Sequence, residues 1–99
     1  MNYLPEHYET VAASQTDQVL GGAGAAGDFL DTLTITVATV ATAAVSIKDG
    51  GGAAISIMPN SPGGGVGVYV VAIRARSQNG AWKVTTGAGS TVIATGRFT

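Results

Sequence analysis

From residue 29 onward the chain alternates. Leu33, Ile35 and Val37 fall on one side of an extended backbone, and Thr32, Thr34 and Thr36 on the other. Successive strand side chains point to opposite faces, so this pattern describes a strand with one buried face. Branching at Cβ favours the extended state further. Ala43, Val45 and Ile47 repeat the period with Ser46 and Lys48 opposite, and Ile55 and Ile57 alternate with Ser56 and Met58. No segment sustains a 3.6-residue period. Residues 38–44 are Ala-rich, but their Thr and Val disfavour a helix. A chain patterned this way has to make sheets.

Glycine and proline punctuate the pattern. Asp49-Gly50-Gly51-Gly52 and Pro59-Asn60-Ser61-Pro62-Gly63 read as turns, as does Gly87-Ala88-Gly89. Asn79-Gly80 is the best hairpin signal in the chain. The strongest strand signal covers residues 66–76. Val66, Val68, Val70 and Ala72 lie on one of its faces, and Tyr69, Val71 and Ile73 on the other. With both faces apolar, its first half is expected to be central or covered on both sides. Arg74 and Arg76 share one face of its second half, which is expected to reach solvent or a partner. Trp82, Val84 and Thr86 form another strand, and Val92 and Ala94 alternate with Thr91, Ile93 and Thr95 in the last. Six clear strands and one or two weak ones, 8–12 residues apart, predict an all-β fold. The expected architecture is a small antiparallel β-sandwich, jelly-roll-like, with an extended N-terminal arm.

Residues 1–20 differ from the rest. They hold the lone histidine and two of the three tyrosines, with poor apolar periodicity. They read as the arm, with one short strand over residues 9–13. Residues 21–27, all Gly or Ala, read as a linker, and residues 28–99 as the sandwich domain.

Composition narrows the function. Only 11% of residues are charged, against roughly 25% in an average domain. Low charge with 45% apolar residues excludes a disordered chain. Five basic against six acidic residues leaves no basic surplus for nucleic acid. The absence of cysteine excludes a disulfide framework and thiolate chemistry. Residues 1–9 have neither a basic start nor an apolar stretch, so no secretory signal is expected. Residues 50–73 carry no charge, but Pro59, Pro62 and three consecutive glycines interrupt them, so no membrane helix is expected.

No motif carries catalysis. Gly22-Ala23-Gly24-Ala25-Ala26-Gly27 matches GxGxxG literally, and Asp49 follows Gly27 by 22 residues. A dinucleotide site also needs a helix after the glycines, and residues 29–37 read as a strand. A turn is the expectation. Asp28, Asp31 and Asp49 lack the alternating oxygen ligands and closing Glu of a calcium loop. His7 lies between Glu6 and Glu9 with no nucleophile motif in the chain. No catalytic residue, cofactor or metal is expected. Lys48, Arg74, Arg76, Lys83 and Arg97 are scattered, serving solubility or pairing with a partner's acids. Trp82, the only tryptophan, is expected as the core anchor, since small neighbours leave room for one large ring.

Thirty-one of 99 residues are Gly or Ala, so the core is expected to be thin. Val- and Gly-rich edges carry few protecting charges. Both points predict an oligomer or a subunit held in a lattice.

Three stretches carry a family likeness: residues 8–21 (Tyr8-Glu9-Thr10-Val11 through Val19-Leu20-Gly21), Val45-Ser46-Ile47-Lys48-Asp49-Gly50, and Gly80-Ala81-Trp82-Lys83-Val84 running on to Gly96-Arg97-Phe98. With the Gly27-Asp28 joint between them, the chain resembles the small decoration, or cement, proteins of tailed-bacteriophage capsids. The resemblance implies a non-enzymatic virion protein on the outer capsid surface. It implies contact with the major capsid protein across subunit joints, as a dimer or trimer, without nucleic acid or membrane. The arm would then lie across a capsid subunit with Tyr3, Leu4, Tyr8 and Val11 as anchors. The alternatives are a tail or neck protein of the same virion, or a carbohydrate- or host-surface-binding β-module.

Overall fold

Eight strands form in the order β1 (His7–Val11), β2 (Gln18–Val19), β3 (Phe29–Val37), β4 (Val45–Asp49), β5 (Ile55–Met58), β6 (Gly67–Arg76), β7 (Trp82–Thr86) and β8 (Ser90–Arg97). They come from a computed structural model that describes residues 7–99. Sheet A has the order β1-β8-β3-β6 and sheet B the order β2-β7-β4-β5. Every pairing is antiparallel.

The pairs β4–β5, β3–β6, β2–β7 and β1–β8 are nested in sequence, one inside the next. This is a single long hairpin rolled up so that its successive rungs fall alternately in sheet B and sheet A. That is the jelly-roll path, and the all-β sandwich expected from the alternation is the fold observed. Only β4–β5 joins neighbouring strands directly. The turn at Asn79-Gly80 is therefore not a hairpin. β6 and β7 lie in different sheets, and the turn carries the chain across the sandwich. It is clamped there by the turn after β4. The Asp49 carboxylate accepts from the backbone N–H groups of Gln78 and Asn79 at 3.0 and 2.9 Å. Gly50, at φ +59°, presses its Cα face against Asn79, where a Cβ has no room.

The alternation sets the core. Leu33, Ile35 and Val37 from β3 and Val92 and Ala94 from β8 face inward from sheet A. Val45, Ile47, Trp82 and Val84 meet them from sheet B. Residues 38–44 make a single 3-10 turn, Val40–Thr42, between the sheets.

Residues 7–20 are not an arm. β1 pairs along its whole length with β8, from His7↔Gly96 to Val11↔Val92. Val11 and Leu20 are fully buried. The loop between β1 and β2 is bound to β7: Thr86 Oγ1 donates to Ala12 O, Gln15 N donates to Thr86 Oγ1, and Asp17 N donates to Thr85 Oγ1. The sequence concealed this because β1 and β2 are short and carry one core residue each beside polar ones. Of the expected arm anchors, Tyr3 and Leu4 lie outside the described residues. Val11 cannot reach a neighbour, because it is spent on the chain's own core.

The connector 21–27 is also tied down. The backbone N–H groups of Gly22, Ala23 and Gly24 all donate to the Thr99 carbonyl oxygen, at 2.9 to 3.3 Å. The amides that a phosphate-binding reading of these glycines would need are already occupied.

A candidate interaction surface

The described residues enclose no pocket, and no three His, Asp or Glu side chains among them are placed to hold a metal ion. Among the described residues no helix is long and apolar enough to cross a membrane. What remains for function is surface, and the two sheets differ sharply there.

Sheet B and its loops carry Lys48 opposite Lys83 on adjacent strands. Like charges side by side need an acid, and Asp17 supplies it. Its Oδ2 lies 3.1 Å from Lys48 Nζ, and its Oδ1 accepts from the Thr85 hydroxyl. The Lys48 hydrogen bond, foremost, holds the Asp17 carboxyl below its ordinary value; desolvation opposes this, and the Thr85 hydroxyl and the Lys48 and Lys83 charges assist it.

The outward face of sheet A has no charge over its central rows. Register places Val70, Thr34, Ile93 and Thr10 in one line across the four strands. One step along lie Ala72, Thr32, Thr95 and Tyr8; one step the other way lie Val68, Thr36 and Thr91. On β3 and β8 these alternate with buried residues and on β6 with half-buried ones, and Thr10 and Tyr8 share the side of β1 opposite buried Val11, so the set points outward. Val68 and Val70 are 63% and 70% exposed, and Tyr8 72%. Threonine presents a methyl and a hydroxyl at the same height as valine. The face is therefore flat, weakly polar and cheap to desolvate compared with a charged one.

The outward-facing charges of sheet A gather at one end. Phe29 sits between Arg76 and Arg97 in register, and the Arg76 guanidinium lies 5.7 Å from the Phe29 ring centre. Arg74 Nε is 3.9 Å from Asp31 Oδ1. Three of the five basic residues, scattered in sequence, thus share one rim. The bulges at Leu30/Thr32 in both β3 ladders separate this rim from the uncharged rows.

The expectation that the first half of β6 is central or covered on both sides is not met. β6 is the edge of sheet A, paired only with β3, and its valine stripe faces solvent. Tyr69, Val71 and Ile73 on its other face pack against the core. Of the two expected arm anchors among the described residues, Tyr8 is exposed and lies on this same surface, while Val11 is buried. Trp82 is buried elsewhere, its indole N–H bound to the Asp28 carbonyl oxygen. The uncharged rows had a partial signal in the Thr32, Thr34, Thr36 and Thr91, Thr95 alternations. Nothing in the sequence said which strands lie side by side.

No family model matches the chain, and no match was found among curated proteins or among solved structures.

Proposed function

We propose that this chain is a structural virion protein that decorates and cements the outer surface of a tailed-phage capsid, stabilising joints between major capsid proteins. The observation that carries the reading is the uncharged outer face of sheet A. Interface centres are depleted of charge and rimmed by polar groups, and this face has that layout, with an arginine rim at one end. A rigid sheet also presents its contact surface without an ordering cost. The resemblance in residues 8–21, 45–50 and 80–98 supplies the kind of partner. Jelly rolls serve many functions, so the fold by itself adds no weight.

Contact with the capsid is through the sheet A face, with Tyr8 at its margin, rather than through an arm of residues 1–20. Removing residues 1–13 is accordingly a poor test, because it strips β1 and Val11 from the fold. The informative variant is Ile93→Lys, a charge placed at the centre of the face on a 41% exposed side chain. Expanded heads lose this variant at least tenfold in occupancy while its melting temperature is unchanged. Copy number per purified particle tests the wider reading: hundreds of copies fit a head coat, and a dozen or fewer assign the chain to a tail or neck ring. Full decoration by Ile93→Lys overturns the assignment of the face.

A further inference from the structure

We infer that β6 is a self-association edge, on which a second copy of this chain adds its own β6 antiparallel across a two-fold axis near Val70. The inference goes beyond the capsid reading and does not depend on it.

Edge strands present unpaired backbone N–H and C=O groups and are normally guarded. Sheets A and B have four edges, and three are guarded by visible devices. β2 is two residues long. β5 is four residues long and is stopped by Pro59. β1 is stitched to the opposite sheet: Glu9 Oε1 accepts from Gly21 N and Oε2 from Gln18 Nε2, both at 2.7 Å, and Gln18 Nε2 also reaches Thr10 O. β6 is the longest strand, ten residues, and from Gly67 to Ala72 it has no Lys, no Pro and no charge of either sign. Its one interruption is the bulge at Ile73-Arg74, where Arg74 has φ +54°. That bulge ends the flat stretch without covering it.

The charge layout selects the partner. A two-fold axis at Val70 puts Val70 opposite Val70 and Val68 opposite Ala72, both within the stretch that precedes the bulge. In each pair the side chains stand on the same face, as antiparallel register demands. Val68 and Val70 are among the most exposed apolar side chains of the described residues, and this arrangement sets Val70 against its twin and Val68 against Ala72. The two copies of Arg74 then lie eight strand positions apart, about 26 Å. That is several Debye lengths at physiological salt, so they do not repel. A parallel arrangement would set each arginine about 5 Å from its twin. The edge is thus complementary to itself in one orientation only, which is what an isologous contact requires. The product is one continuous eight-stranded sheet whose uncharged outer faces lie on the same side.

The test uses the purified full chain without capsids, so it stands apart from the copy-number experiment. Sedimentation equilibrium shows a monomer–dimer equilibrium, and amide exchange within residues 67–72 slows as concentration rises while residues 55–58 are unaffected. Val70→Cys under copper–phenanthroline oxidation gives a disulfide-linked dimer, and Ile93→Cys, two strands away on the same face, does not. Val70→Lys sets two ammonium groups against each other at the axis and leaves a monomer with an unchanged melt. A protein that stays monomeric up to millimolar concentration overturns the inference. So does a dimer that survives Val70→Lys, or one that crosslinks through Ile93→Cys, which would place the contact face to face.

Discussion

The indole nitrogen of Trp82 donates a 3.0 Å hydrogen bond to the backbone carbonyl oxygen of Asp28, 54 residues earlier in the chain. The same carbonyl accepts from Ser77 N, and the Asp28 carboxylate accepts from Ala25 N, Thr99 N and Thr99 Oγ1. One buried residue thus joins the largest core ring, the 21–27 connector and the last residue of β8's extension. Trp82→Phe removes one bond and part of the volume and is expected to cost about 1–3 kcal/mol, while Trp82→Ala costs about 3–5 kcal/mol. Asp28→Asn replaces an acceptor oxygen by a donor and strands at least one amide, at about 1–3 kcal/mol. Urea unfolding of the three variants checks the order.

Val11 and Tyr8 are three residues apart on one strand and have opposite fates, buried and exposed. Val11→Ala is expected to cost about 1.5–3 kcal/mol through lost apolar burial and the cavity it leaves. Tyr8→Ala is expected to stay within about 0.5 kcal/mol of the parent. Equal effects in a thermal melt would return residues 7–11 to the status of an arm.

Ser90 is 1% exposed and its hydroxyl finds no hydrogen-bond partner among the described residues. A buried unpaired hydroxyl is a standing cost, so Ser90→Ala is expected to be neutral or to stabilise by up to about 1 kcal/mol. A loss of more than that, measured by urea denaturation, would reveal a partner for the hydroxyl.

The Asp17 carboxyl, held below its ordinary 3.8 chiefly by the Lys48 hydrogen bond, gives acid behaviour a direction. Its folded value is depressed, so the contribution to stability is full above the unfolded value and is lost as pH falls through the folded one. The difference in melting temperature between the parent and Asp17→Asn is therefore flat from about pH 7 to about pH 5 and narrows below pH 4. Because the pair is partly exposed, the whole difference is small and shrinks further in high salt.

Nested pairing predicts slow folding. His7 meets Gly96, and only β4–β5 closes a short loop. Long loops must close before their contacts repay the entropy, so stopped-flow refolding is expected in the millisecond-to-second range. Microsecond refolding would be incompatible with this topology.

The alternations at Thr32–Val37, Val45–Ile47 and Val92–Ala94 announced the strands and their buried faces, because a period of two survives without any neighbour. The turns at Asp49-Gly50 and Gly87-Ala88-Gly89 were equally plain. What could not be read is adjacency. Asn79-Gly80 has hairpin chemistry, yet the rolled topology uses it to change sheets. The two apolar faces of residues 66–72 look the same in a central strand and in an unguarded edge. The short strand expected over residues 9–13 lies two residues earlier, at β1, and β2 has no sequence signal, because a five-residue and a two-residue strand carry too few apolar positions to show a period. The face formed by Thr10, Ile93, Thr34 and Val70 draws on four distant segments, and only the pairing order brings them into line.

The Gln18 side chain, held by Glu9, occupies the Thr10 carbonyl oxygen on the β1 edge and so bears on how far assembly can run. Among the described residues, pairing through β6 consumes the one long unguarded edge of each copy and leaves a composite sheet with the Gln18-capped β1 at either end. Growth stops at two. If the β1 edge were open as well, the same backbone chemistry would propagate without limit and the product would be a fibre.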